Sequence, residues 1–320
     1  MAKIVFEDKE FYTQAGESVL DCLLRNDLDI PHSCKTGICH SCVMKCESGT
    51  VTANSQDGIK DSQKIEGYFK ACVCLPESDM QVSLEGAGHT FATEIVEKKL
   101  LNERTLLVRL SVPSEFSYKS GQFINLIRPS DNLSRSYSLA SMPSENFLEL
   151  HIRYYQDGKM SSWLVESTDV GDTVNFSGPL GDCFYTAGKE NEPLLLAGIG
   201  TGMAPLYGIA REAVAKGHSG PITIIQGAMN EAGLYYTSEF RSLAETTANI
   251  SYIASTVDGS GGNESGKIDD VVKAHFPSLK GFRVYLCGSP NTVNRLKRYS
   301  FLSGANMGDI YSDPFTVAGS

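Results

Sequence analysis

Positive charge is in short supply: 28 lysines and arginines stand against 38 aspartates and glutamates, a formal net charge of −10. Phosphate backbones need a basic face, so nucleic acid is excluded as a partner. Long apolar runs are missing as well. No window approaches the about eighteen apolar residues of a membrane span, and Met1-Ala2-Lys3-Ile4-Val5-Phe6-Glu7 lacks the apolar core and cleavage site of a secretory signal. A cytoplasmic protein with no membrane contact, and a monomer, is expected. No solenoid-type repeat is visible. The nine cysteines are an odd number, which fits a reducing compartment better than a disulfide framework. What remains is an ordinary globular composition, 41% hydrophobic and 21% charged, in 320 residues, enough for two or three domains.

Four of those cysteines set the chemistry. Cys34, Cys39 and Cys42 follow the spacing C-x4-C-x2-C, and further thiols stand at Cys72 and Cys74. Thiolates so spaced, with a distant fourth, can converge on the two irons of a 2Fe-2S cluster. Gly37 suits the tight turn between the first two. Structural zinc is disfavoured, because it usually takes two short-range pairs. His40 is read as a solvated loop residue, since thiols already fill every ligand position. Ala71-Cys72-Val73-Cys74 leaves the fourth ligand open between two residues.

Taken in order, residues 3–13 read as a hairpin, 17–25 as a capped helix, and 43–47 and 81–84 as strands, together a β-grasp domain. Residues 85–90 are short, small and polar, a linker. Alternating strands follow at 93–101, 105–112, 122–128, 147–154 and 173–177, the pattern of a small antiparallel barrel. After Pro193, strands at 194–197, 221–226, 250–254 and 283–287 alternate with helices, which implies a parallel α/β sheet. The fold class is thus multidomain α+β and α/β, with domains at 1–88, 89–190 and 191–320.

Further motifs carry cofactor chemistry. Arg135-Ser136-Tyr137-Ser138 offers a flavin a cation for its pyrophosphate, an aromatic wall and a hydroxyl near N5. Gly158-Lys159-Met160-Ser161 opens a helix whose free amides suit a phosphate, one turn after His151-Ile152-Arg153. Gly200-Thr201-Gly202 lies between a strand and a helix, where a pyrophosphate can approach the backbone. Cys287-Gly288-Ser289-Pro290 puts a small polarizable side chain at a strand's carboxyl end. Each also has a plain reading: core tyrosine, capped surface helix, tight turn and buried thiol.

In this order the motifs resemble the NADH-dependent reductase components of bacterial multicomponent oxygenases, over nearly the whole chain. The resemblance implies a plant-type ferredoxin domain, a ferredoxin-NADP reductase-like FAD barrel and a nicotinamide domain. It selects Cys72 beside Cys34, Cys39 and Cys42 as cluster ligands. It assigns FAD contacts to Arg135, Tyr137, Ser138, His151, Ile152, Arg153, Met160 and Ser161, and the dinucleotide to Gly200, Thr201, Gly202 and Pro205. By the same resemblance Cys287 lies close to the nicotinamide, Asp313 near the hydride path and Phe315 over the flavin, which gives Ser138, Cys287 and Asp313 as the catalytic group. Two departures stand out. Gly227-Ala228-Met229-Asn230-Glu231 lacks the basic residue many relatives carry after Gly-Ala, and Glu231 would repel a 2′-phosphate, so NADH is favoured. The family's Cys-Gly-Pro-Pro is here Cys287-Gly288-Ser289-Pro290.

The implied activity passes electrons from NADH, through FAD and the cluster, to a terminal oxygenase or hydroxylase component or an intermediary ferredoxin. Hydride carries two electrons and the cluster takes one, so a flavin must stand between them. Glu47, Asp57, Asp61, Glu66, Glu77 and Asp79 provide acidity for steering toward a basic partner surface. A reductase for a non-oxygenase acceptor, such as a deoxysugar dehydratase, is the second reading. A non-enzymatic redox carrier with decayed sites is the third, and the intact Arg135, Tyr137 and Gly-Thr-Gly weigh against it.

Overall fold

The computed structural model describes residues 1–28, 30–32, 35–37, 42–84 and 90–315. It divides into two compact units, Met1–Ala87 and Gly88–Ser320. Apart from Thr90, the expected linker lies outside the described residues.

In the first unit β1 (Lys3–Phe6) and β2 (Lys9–Tyr12) form an antiparallel hairpin. Its turn, Glu7-Asp8, has φ values of 49° and 60°, the left-handed pair that matches the twist of the flanking strands. Helix α1 (Val19–Arg25) begins at Ser18, whose Oγ accepts from the Asp21 amide at 3.1 Å. β3 (Val43–Ser48), α2 (Asp61–Ile65), β4 (Tyr68–Lys70) and β5 (Met80–Ser83) complete the unit. The sheet runs β2-β1-β5-β3-β4, with β1 and β5 parallel, and α1 buries Leu20 and Leu23 in a core with Ile4, Met44 and Phe69. This is the expected β-grasp.

The second unit opens with β6 (Thr90–Asn102), β7 (Thr105–Ser111), β8 (Phe123–Ile127), β9 (Ser134–Ser138), β10 (Phe147–Arg153), α3 (Lys159–Glu166) and β11 (Thr173–Leu180). The strands form one sheet, β10-β7-β6-β11-β8-β9, and a bridge between Leu139 and Leu150 joins its ends into a barrel. Met160 and Leu164 of α3 pack into the barrel core with Val108, Leu126 and Leu150.

The chain continues with β12 (Leu194–Ile199), α4 (Met203–Ala215), β13 (Ile222–Ala228), α5 (Thr237–Thr246), β14 (Ile250–Thr256), β15 (Glu264–Ser265), α6 (Ile268–His275), β16 (Arg283–Gly288), α7 (Pro290–Leu302) and β17 (Ile310–Pro314). The strand order β15-β14-β13-β12-β16-β17 is parallel throughout. Such strands are buried on both faces, and Leu194, Leu195, Leu196 and Ala197 are each at most 1% exposed. The order reverses between β12 and β16, the switch point whose crevice, at the strands' carboxyl ends, is where sheets of this kind hold ligands. Among the described residues no helix is long and apolar enough to cross a membrane.

Candidate functional site

At the end of β12, Gly200, Thr201 and Gly202 make one turn of 3-10 helix leading into α4. The two glycines serve different needs. Gly200 has φ +54°, and a Cβ there would have only Arg153 Nη1 nearby, at 3.6 Å. A Cβ on Gly202 would lie 2.5 Å from the Cys287 carbonyl carbon, so only glycine lets this turn press against β16. No side chain caps α4; its first amide, that of Met203, donates back to the Gly200 and Thr201 carbonyls, so a ligand phosphate would meet the Gly-Thr-Gly turn itself. Pro205 lies in that first turn, where its missing N–H is no loss.

Cys287 ends β16 and is 1% exposed, its Sγ 3.8 Å from Cys183 Sγ. Burial first, and then Cys183, push its thiol well above the ordinary range, so it is neutral rather than nucleophilic. Parallel pairing sets Asp313 of β17 beside it. Asp313 Oδ2 accepts a hydrogen bond from Ser138 Oγ at 2.9 Å. Burial pushes the Asp313 carboxyl up to about 6, opposed by Ser138 and helped by Asp182. The three residues expected as a catalytic group therefore meet at the crevice. The half-buried Phe315 follows, its amide donating to Gly288 O at 2.7 Å.

On β9, Arg135 and Tyr137 share one face while Ser138 points to the other. Tyr137 packs against the barrel core, and burial raises its hydroxyl pKa despite Arg135. Helix α3 starts at Gly158 without a side-chain cap. Ser161 Oγ is occupied within its own turn, accepting from the Tyr155 amide at 3.1 Å, and Met160 is 2% exposed. Both therefore have only their amides to offer a phosphate. Ile152 is buried in the barrel core, and Arg153 alone of its tripeptide reaches toward Gly200. An aromatic face, two guanidinium groups and an uncapped helix fit a flavin dinucleotide.

His151 is engaged elsewhere. Its Nε2 lies 2.9 Å from Glu149 Oε1 and its Nδ1 3.1 Å from Tyr235 Oη. Glu149 also accepts from Arg109 Nε at 2.7 Å and Tyr236 Oη at 2.9 Å. Burial would raise the Glu149 pKa, but His151, Arg109 and Tyr236 together hold it down at about 2. The cluster ties β10 of the barrel to the segment between β13 and α5, where Tyr236 takes the uncommon φ of 57°.

In the first unit, Cys34 and Cys39 lie outside the described residues. Cys42 and Cys72 are 3% and 9% exposed, and the Ala71 amide donates to Cys42 O at 3.0 Å. Gly37 has φ +77°, and a Cβ there would meet both Val73 methyl groups at 3.3 Å. Cys74, 0% exposed, packs in the unit's core. Two buried thiols on hydrogen-bonded backbone, beside a turn that requires glycine, fit a thiolate-held cluster.

Three family models match successive stretches: a 2Fe-2S iron-sulfur cluster binding domain over residues 5–77, an oxidoreductase FAD-binding domain over 92–185 and an oxidoreductase NAD-binding domain over 195–297. The ferredoxin–NAD(P)(+) reductase component of the naphthalene 1,2-dioxygenase system of Pseudomonas putida is 32% identical over 320 residues, 95% of each chain. The chain belongs to this family of oxygenase-system reductase components. The reductase subunit of an Amycolatopsis aromatic O-demethylase is 30% identical over 88% of each chain. The crystal structure of the Amycolatopsis cytochrome P450 reductase GcoB aligns with a TM-score of 0.68 at 26% identity, covering 100% of both chains.

Several residues of this reductase's sites escaped the sequence reading. Glu149 had a signal, an acid two positions before His151 and between two leucines, opposite Arg109 in the register. Tyr235 and Tyr236 had none, since nothing in a loop names the strand it will meet. Cys183 carries no motif of its own, and its place 3.8 Å from Cys287 Sγ follows only from the fold. Glu231 is exposed after β13, with its amide donating to Ser260 Oγ at 3.0 Å. Ser260 Oγ in turn donates to Asp258 at 2.7 Å, placing a second carboxylate at the same sheet edge.

Proposed function

We propose that this reductase takes hydride from NADH and delivers electrons singly to the terminal component, or the intermediary ferredoxin, of a multicomponent mono- or dioxygenase. The observation that carries the reading is the meeting of Ser138, Asp313 and Cys287 at the crevice where the strand order reverses. FAD, when bound, supplies the conversion from a two-electron donor to a one-electron acceptor. Tyr137 provides its aromatic wall, and Arg135 and Arg153 balance pyrophosphate charge. Gly200, Thr201, Gly202 and Pro205 seat the nicotinamide dinucleotide at the start of α4.

Cys287, a buried neutral thiol, packs where the nicotinamide arrives, and Phe315 covers the flavin side. Ser138 and Asp313 position the reacting ring and keep water from the hydride path. Cys34, Cys39, Cys42 and Cys72 hold the cluster, and Cys74 serves packing. Glu231 disfavours a 2′-phosphate, so NADH is the donor. The exposed Glu47, Asp57, Glu77 and Asp79 suit a partner with a basic docking face. We infer a cytoplasmic monomer; the free cysteines of the described residues support the reducing compartment.

Cys39→Ser tests the division of labour. NADH-driven ferricyanide reduction should persist while electron delivery to a matched hydroxylase disappears. Loss of both in a folded, FAD-loaded variant would contradict separable steps.

A further inference from the structure

Lys70 ends β4 and is only 4% exposed. Its Nζ donates to two backbone carbonyls, Gly37 O at 3.0 Å and Asp57 O at 2.5 Å. Among the described residues no carboxylate pairs with it. Taking an ammonium out of water is costly, and the dipoles of two carbonyls offset only part of that.

What surrounds the side chain points to an anion of a particular kind. Gly37 lies in the loop from Cys34 to Cys39, and Lys70 itself comes two residues before Cys72. Across the sheet Lys70 pairs with Val43, the residue after Cys42, and the next amide, Ala71, donates to Cys42 O. One lysine thus touches or adjoins every segment that bears a cluster cysteine. A cluster held by four thiolates is a net anion, and its charge grows when it takes an electron.

We propose that Lys70 is the internal counter-ion of the cluster and the positioning residue of its loop. Its fixed charge favours the reduced state, so the cluster's midpoint potential is higher than the same cage would give without it. The bland account is an anchor that merely satisfies two carbonyls. The proposal rests on the reading that Cys34, Cys39, Cys42 and Cys72 hold the cluster.

The test is a dithionite titration of the full-length, anaerobically reconstituted protein, with the cluster followed by electron paramagnetic resonance. Lys70→Met should move the one-electron equilibrium about tenfold toward the oxidised cluster, about 59 mV more negative. Lys70→Arg, which keeps the charge, should recover most of that shift. A loaded Lys70→Met protein with the wild-type midpoint, or Met and Arg variants shifted alike, would overturn the proposal. Should Lys70→Met hold no iron, Lys70→Gln, which still donates to the carbonyls, is titrated in its place against the same criterion. Loss of the cluster in the Met and Gln variants with retention in Arg supports the counter-ion; loss in all three overturns it. Wild-type protein without iron and sulfide would instead remove the ligand assignment underneath.

Discussion

Ser138 Oγ donates to Asp313 Oδ2 at 2.9 Å across 175 residues of sequence, joining the last barrel strand before the bridge to the final strand of the parallel sheet. Because Asp313 also pairs with Cys287, one hydrogen bond fixes both walls of the crevice. The carboxyl is raised from 3.8 to about 6, mainly by burial. A raised acid favours folding below its unfolded pKa and loses that advantage as pH climbs through the folded value. Relative to Asp313→Asn, the FAD-free wild type should therefore lose up to about 3 kcal/mol between pH 4 and 7. Paired thermal melts across that window check it, and a difference independent of pH would remove the assignment.

Glu149 has the opposite sign. Its carboxyl is held down at about 2 despite burial, by His151, Arg109 and Tyr236. The stabilisation is full above the unfolded value of 4.5 and fades as pH falls through the folded one. Glu149→Gln should lower stability at pH 7 by about 3 kcal/mol, with the gap to wild type closing in acid. Denaturant titrations at pH 7 and pH 3 measure both numbers. An unchanged gap at the two pH values would mean the cluster is not what anchors β10 to the Tyr235-Tyr236 segment.

Much of this architecture was legible in the sequence, because period and order survive without a structure. The barrel strands alternate over five to thirteen residues, as in β8 and β6, and the first nucleotide strand, β12, is an apolar run leading into the glycine-rich turn. Tyr68-Phe69-Lys70 was missed because three residues are too few for alternation to register. β17 does not read as a strand, since Ile310-Tyr311-Ser312-Asp313-Pro314 mixes an apolar start with a polar, proline-ended tail. Side-chain direction was the harder part. Sequence order suggested His151 for the flavin site, but the side chain of a strand residue can face either the cofactor or a neighbouring domain. Here Glu149 and Tyr235 hold it toward the latter.

Gly200 and Gly202 look alike in the sequence and should behave differently on substitution. Gly200→Ala meets open space and only the strain of φ +54°, about 1 kcal/mol. Gly202→Ala drives a methyl group into the Cys287 backbone and must separate α4 from β16. The expected result is a modest rise in KM for NADH with Gly200→Ala, about tenfold or less, and near loss of NADH-driven ferricyanide reduction with Gly202→Ala. Steady-state kinetics on both FAD-loaded variants decide this. Equal effects would place the pyrophosphate away from this turn.

Cofactor choice depends on the loop after β13. Glu231 is exposed there, and its amide is held by Ser260, which also bonds Asp258. Two carboxylates at one sheet edge repel a 2′-phosphate, and the repulsion is partly screened because both are in water. Replacing one acid should consequently act by degrees. Glu231→Arg should raise the kcat/KM ratio of NADPH to NADH about tenfold, and adding Asp258→Asn should raise it further, since the second repulsive charge remains in the single variant. The loop is also packed, because a Cβ on Gly261 would collide with the Glu231 side chain, so the kcat with NADH reports any loss of loop structure separately from the ratio. If the ratio stays at the wild-type value in both variants while kcat with NADH is retained, discrimination lies elsewhere along the sheet edge.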